Sequence, residues 1–180
     1  VTVIALRARD TIDHGPGTEH DREAGEWFAL VLGLCLGLDL MASATDLLMI
    51  YLGVELTSIA GYILAGYTHR SRRSAEAALK YVIYGGVASA VMLYGLSLLY
   101  GLAGATDLAS VGVALASADP AVVALSIVLC LVGFGFKSAA VPFHMWCPDV
   151  YEGAPTPVAA LLSVGPKAAA FALLVRFLAQ

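Results

Sequence analysis

The sequence predicts an all-α protein, a polytopic transmembrane bundle of five helices with one of them discontinuous. Three observations carry this. The 180 residues are 59% hydrophobic and only 13% charged, with a mean hydropathy of +0.82. A soluble domain is about one quarter charged and roughly half apolar at most, so this excess needs lipid as its solvent. Five apolar stretches are each long enough to cross a bilayer. Finally, glycines and prolines gather in GFGFKSAAVPFHMWCPDVYEGAPTPV at residues 133–158, through which one regular helix cannot run.

Taken in order, residues 1–26 read as a polar cytoplasmic loop whose first six residues resemble the end of a preceding helix. His14 and His20 sit among acids there and read as ordinary loop histidines rather than metal ligands. Residues 27–44 form the first expected span, about 27 Å long at 1.5 Å per residue, with Trp27 at its start as an interfacial aromatic. Asp39 in this span is given no role. A very short turn leads to the second span, 46–67, which makes the two antiparallel neighbours. The basic hinge THRSRR precedes a long third span, 74–102, and a small-residue loop with a short helical turn leads to the fourth span, 121–140. Residues 141–156, with Pro142, Pro148 and Pro155, cannot be one regular helix, and 157–178 form the fifth span. Val1 is not an initiator Met and the last apolar run stops at Gln180, so the chain is expected to be a piece of a longer membrane protein.

Orientation follows from the arginines. Arg7, Arg9, Arg22, Arg70, Arg72 and Arg73 fall on one side of this topology and only Arg176 on the other, which places the N-terminal stretch and the hinge in the cytoplasm. The net charge of −4 implies no nucleic-acid partner. Cys35, Cys130 and Cys147 are odd in number and lack C-x-x-C spacing, so neither disulfides nor a metal site is expected.

Four ionisable residues lie within or at the edge of different spans: Glu55, Lys80, Lys137 and Lys167. His144 lies between the last two in sequence. An ion in hydrocarbon is expensive and by default marks a proton or ion path. Glu55 reads as a carboxyl kept protonated or as an ionised partner of a lysine, and the number of lysines favours pairing. Lys80 by position alone reads equally as a snorkelling interfacial lysine. Histidine titrates near neutral pH and suits a relay between lysines. Competing chemistries lack their motifs. G-x-x-x-x-G-K-[ST] and H-E-x-x-H are absent, no histidine pair suggests haem, and neither Ser138 nor Ser163 has an adjacent base.

The motifs FKSAAVPFHMWCPDVYEGAPTPV at 136–158, LSVGPK at 162–167, YLGVELTS at 51–58 and ALKY at 78–81 resemble the subunit N (mitochondrial subunit 2) family of NADH-quinone oxidoreductase, respiratory complex I. The resemblance runs from Trp27 to the end and matches helices four to eight, the first of two inverted five-helix repeats. It implies that Glu55 is the helix-five glutamate, Lys80 the helix-six lysine near it, Lys137 the central lysine of the broken helix, His144 the bridging histidine and Lys167 the helix-eight lysine. Lys167 within G-P-K favours subunit N over relatives that usually carry histidine there. Asp39 departs from the motif.

The implied function is proton translocation in a multi-pass subunit of the bacterial inner (plasma) membrane, with protons as the cargo and lipid as the solvent. The implied partners are other membrane subunits of complex I, especially antiporter-like ones. NADH, flavin, iron–sulfur clusters and quinone are expected in partner subunits, with no cofactor and no redox site in this chain. The second repeat lies outside the match, so this piece alone is not expected to pump. Alternatives are a subunit of a cation/proton antiporter or membrane-bound hydrogenase, a non-transporting membrane scaffold, and a soluble helical domain that the composition argues against.

Overall fold

The computed structural model describes residues 18–68 and 71–179, with side chains from residue 24. Seven helices appear among them: α1 Thr18–Ser43, α2 Leu47–Ala65, α3 Arg72–Ala103, α4 Leu108–Leu115, α5 Pro120–Ser138, α6 Cys147–Gly153 and α7 Thr156–Leu178. Five of them are long and apolar enough to cross a membrane. Their outward faces carry Leu32, Leu52, Ile59, Val87, Val128 and Val164, all more than half exposed. Such a surface suits lipid or another apolar partner.

The boundaries differ from the expected ones by a few residues except at the start. Residues 18–26 are helical rather than loop, because the polar run TEHDREA, without proline or glycine before Gly25, continues a helix readily once a span anchors it. Trp27, near the start of this helix's apolar part, packs inward. It is 3% exposed and meets the Tyr67 ring edge-on at 4.9 Å. His14 lies outside the described residues, as does the side chain of His20.

The helices approach through glycine. A Cβ on Gly53 of α2 would lie 2.9 Å from the Met41 nitrogen of α1, and one on Gly95 of α3 would lie 2.8 Å from both Cys130 N and Ser126 O of α5. The α1–α2 and α3–α5 pairs therefore touch backbone to backbone, as small residues permit in lipid. α7 closes the bundle against α1 and α5, and α4 and α6 pack along opposite parts of α3.

The two ends of the bundle alternate as consecutive spans require. At one end the turn after α1 meets the segment before α4: Leu47 N–H donates to Thr106 O at 2.8 Å and Leu108 N–H to Thr45 O at 3.0 Å. Asp46 and Asp107 cap α2 and α4 there, accepting from Leu48 N–H and Ser110 N–H. Both carboxyls are held below their ordinary range, Asp46 by a side-chain hydrogen bond with Thr106 and Asp107 by the Ser110 amide. A depressed carboxyl stabilises the fold above its unfolded value, near 3.8, and loses that contribution as the pH falls through the folded value. Asp46→Ala should cost about 1 kcal/mol through the lost cap. Thermal midpoints in detergent check this, and the wild-type advantage over Asp46→Ala should shrink below about pH 4.

The opposite end holds α6 and the N-terminus of α3, where Ser74 Oγ–H donates to Ala65 O at 2.8 Å. α5 stops at Ser138, as the glycine and proline pattern foretold. Ala139 takes the left-handed conformation (φ 57°), and Ala140 N–H closes back on Gly135 O at 2.9 Å, a Schellman-type end. A cis Val141–Pro142 bond and a run of turns separate it from α6.

Candidate functional site

The core divides into two apolar layers along the helix axes. One contains Leu34, Leu64, Tyr81, Ala88, Phe136 and Leu162; the other contains Met41, Val54, Met92, Phe134, Ala169 and Leu173. Following each helix from one layer to the other crosses a seam. On α2 the seam falls at 55–59, on α3 at 89–91, on α5 at 135, and on α7 at 163–168. Glu55, Ser89 and Lys167 lie in it, and Lys137 lies two residues past it on α5. The ionisable groups thus gather where the apolar packing is interrupted.

Lys137 is 1% exposed, and its Nζ has no hydrogen-bond partner among the described residues. It sits in the last turn of α5, where the helix dipole and the freed carbonyls favour a cation. Its Nζ lies 6.0 Å from the Phe136 ring centre, within the range of a cation–π contact. Glu55 is half-buried and accepts a hydrogen bond from Ser89 Oγ–H of α3. Glu55 and Lys137 are close enough for each to act electrostatically on the other. Tyr62, two turns along the same face of α2, feels Glu55 and hydrogen-bonds with Ser58. Ser89, Ser58 and Tyr62 were missed in the sequence. The spacing of Glu55, Ser58 and Tyr62, three and then four residues apart, was the available signal.

Lys167 is partly buried on α7, its Nζ 5.5 Å from the Tyr151 ring centre of α6. It follows Pro166, which lies inside α7 and cannot donate to Leu162 O. The Tyr151 hydroxyl donates to that carbonyl instead, at 3.4 Å. His144 is exposed in the turns between α5 and α6. Among the described residues no hydrogen bond joins His144 to Lys137 or Lys167.

Lys80 is placed differently from the expectation that it stands beside Glu55. Its Nζ bonds Glu76 at 2.7 Å and Asp149 at 2.8 Å, and its side chain is 36% exposed. It lies nine residues before Ser89, more than two turns of α3 from the Glu55 contact. The length of α3 explains this: its 32 residues extend about 48 Å, well beyond the hydrocarbon, so its first turns lie in polar surroundings. Asp39 is exposed, and its backbone carbonyl accepts from Ser43 Oγ–H at 2.7 Å.

The family model for NADH:quinone oxidoreductase/Mrp antiporter transmembrane proteins matches residues 44–180, which contain this whole arrangement. The chain belongs to that family. It is 54% identical over 162 residues to NADH-quinone oxidoreductase subunit N of Anaeromyxobacter sp. (strain Fw109-5), covering 84% of this chain and 31% of the relative. It is 55% identical over 154 residues to NAD(P)H-quinone oxidoreductase subunit 2 of Synechococcus sp. (strain CC9902), covering 86% and 29%. A chain of respiratory complex I from Thermus thermophilus superposes with a TM-score of 0.78 at 40% identity, over 97% of this chain and 37% of that one. A chain of the Mrp complex from Dietzia sp. DQ12-45-1b gives a TM-score of 0.73 at 28% identity, over 83% and 28%. The chain thus spans about a third of the length of the curated relatives it matches.

Proposed function

We propose that this chain is the proton-carrying first repeat of a membrane subunit of NADH-quinone oxidoreductase. The observation that carries the reading is Lys137, buried, without a hydrogen-bond partner among the described residues, and electrostatically coupled to Glu55 across two helices. Lys137 holds the proton, Glu55 sets how firmly it is held, and Lys167 is the next station on the neighbouring helix. His144 joins these two lysines from the turn beyond α5, through water. NADH oxidation and quinone reduction, with flavin and iron–sulfur clusters, belong to partner subunits. Those partners include the other antiporter-like membrane subunits, and the assembly sits in the bacterial inner membrane. The arginine bias puts the hinge between α2 and α3, and with it α6, on the cytoplasmic side.

Replacing Glu55 by Gln in the intact complex tests the reading. Turnover coupled to proton uptake in inverted membrane vesicles should slow by about tenfold, equivalent to about 1.4 kcal/mol of barrier. Unchanged pumping with full assembly would count against it. The likeness to the Mrp complex supports a second reading, cation/proton antiport. Sodium-dependent growth complementation by the full-length protein distinguishes the two, since a subunit of the oxidoreductase should not restore growth at high sodium.

A further inference from the structure

α6 has only seven residues, buries only Val150 among them, and has no side-chain cap at its start. So short a helix does not hold itself together in isolation. Yet it and its N-terminal edge reach both helices that carry the lysines of the route proposed above. Trp146, at its N-terminal edge, stacks on Tyr81 of α3 at 4.5 Å and donates Nε1–H to Phe136 O, one residue before Lys137, at 3.2 Å. Tyr151 reaches the Leu162 carbonyl of α7 and faces Lys167. The position of α6 therefore governs the spacing between the end of α5, which carries Lys137, and the middle of α7, which carries Lys167.

Two features fix α6 on α3. A Cβ on Gly153 would lie 2.6 Å from Arg73 O and 2.7 Å from Ala77 Cβ, so the α6 C-terminus rests directly on the α3 backbone. One turn earlier, Asp149 Oδ2 binds Lys80 Nζ at 2.8 Å. Arg73 and Glu152 add a looser, exposed contact at 3.9 Å. Glu76, on Lys80's own helix, already neutralises the lysine at 2.7 Å with or without α6. Asp149 is thus unnecessary as a counter-charge for Lys80, and its distinctive effect is to join two elements.

We propose that Asp149 is a positioning residue, which through Lys80 holds α6 against α3 and so sets the geometry between Lys137 and Lys167. Lys80 then serves as an anchor for α6 and carries no proton. This rests on the proton-route reading above.

The test uses the full-length protein in the assembled complex, with NADH-driven acidification of inverted vesicles measured per NADH oxidised and assembly checked on native gels. Asp149→Lys should lower pumping about fivefold, and combining it with Lys80→Asp should bring pumping back to within about twofold of wild type, since the swap restores the ion pair. A swapped double variant that stays as low as Asp149→Lys, with normal assembly, overturns the proposal, because a proton-carrying Lys80 cannot be replaced by an aspartate. Wild-type pumping by Asp149→Lys overturns it as well. If Asp149→Lys fails to assemble, Asp149→Asn is compared with Lys80→Gln/Asp149→Asn. These variants and Lys80→Gln alone should lose pumping about equally, since each breaks the same Lys80–Asp149 contact, and no loss in Asp149→Asn, or a double-variant loss that multiplies the two single losses, overturns the proposal. Lys137→Ala runs alongside: if it pumps like wild type, the proton-route reading fails, independently of whether the charge swap rescues.

Discussion

Lys137→Ala should remove proton pumping almost entirely, by at least about a hundredfold, the usual scale for deleting a positioned proton-transfer group. Among the described residues, Lys137 is buried and without a hydrogen-bond partner for its Nζ, while its charge is felt by Glu55. Alanine removes the titrating amine and leaves Glu55 with its hydrogen bond from Ser89 but without the cation it acts on. Lys167→Arg should lose several-fold, because a guanidinium stays protonated below about pH 12 and cannot pass its proton on. His144→Ala should lose within about twofold, since the side chain is exposed and water can stand in for it. Vesicle acidification by the assembled complex gives all three values. Wild-type pumping by Lys137→Ala would end the proton-route reading.

Gly95→Leu should prevent accumulation of the assembled complex. Even a methyl group at Gly95 would meet Cys130 N, Ser126 O and Leu129 Cβ, each at 2.8 Å. Two of those three atoms are backbone and cannot rotate aside, so α3 and α5 must separate. Overpacking of an interior costs about 1–3 kcal/mol where side chains can yield, and more where they cannot. Separation would also unseat Met92, which packs against Gly133, and open the apolar layer below Lys137. Gly101→Leu is the matched control on the same helix, since a Cβ there meets nothing within 4 Å. Native gels of membranes from both variants read the difference. Normal assembly of Gly95→Leu would show that the two helices are not pressed together there.

Much of the fold was legible because the signals are local. Apolar run length marks the spans, and Gly133, Gly135 and Pro142 mark the end of α5 before any neighbour is considered. The buried lysine was legible for the same reason, since Lys137 stands out against its apolar surroundings. What escaped depends on which helices meet. Lys80 was expected beside Glu55 because the family resemblance implies that pairing, yet α3 runs past the apolar zone and its early residues face α6. Asp149 sits in the short helix α6, whose docking is a tertiary matter, so no spacing rule pairs it with a residue 69 positions earlier. Ser89 likewise reads as a small helix residue until α2 brings a carboxylate to it.

The reciprocal bonds between 45–47 and 106–108 also bear on how the chain is made. They close a loop of about sixty residues, whose ends are costly to bring together until the intervening helix has formed. At about 5–20 residues per second, residue 108 leaves the ribosome roughly 3 to 12 s after residue 47. During that interval the Leu47 amide has no partner from this pairing. The first helical hairpin therefore enters the membrane with this end unlatched, and its tilt is locked only when α3 has crossed and delivered Thr106. In the finished protein the amides of Leu47 and Leu108 share one opening event, so their hydrogen exchange should be protected, and lost, together.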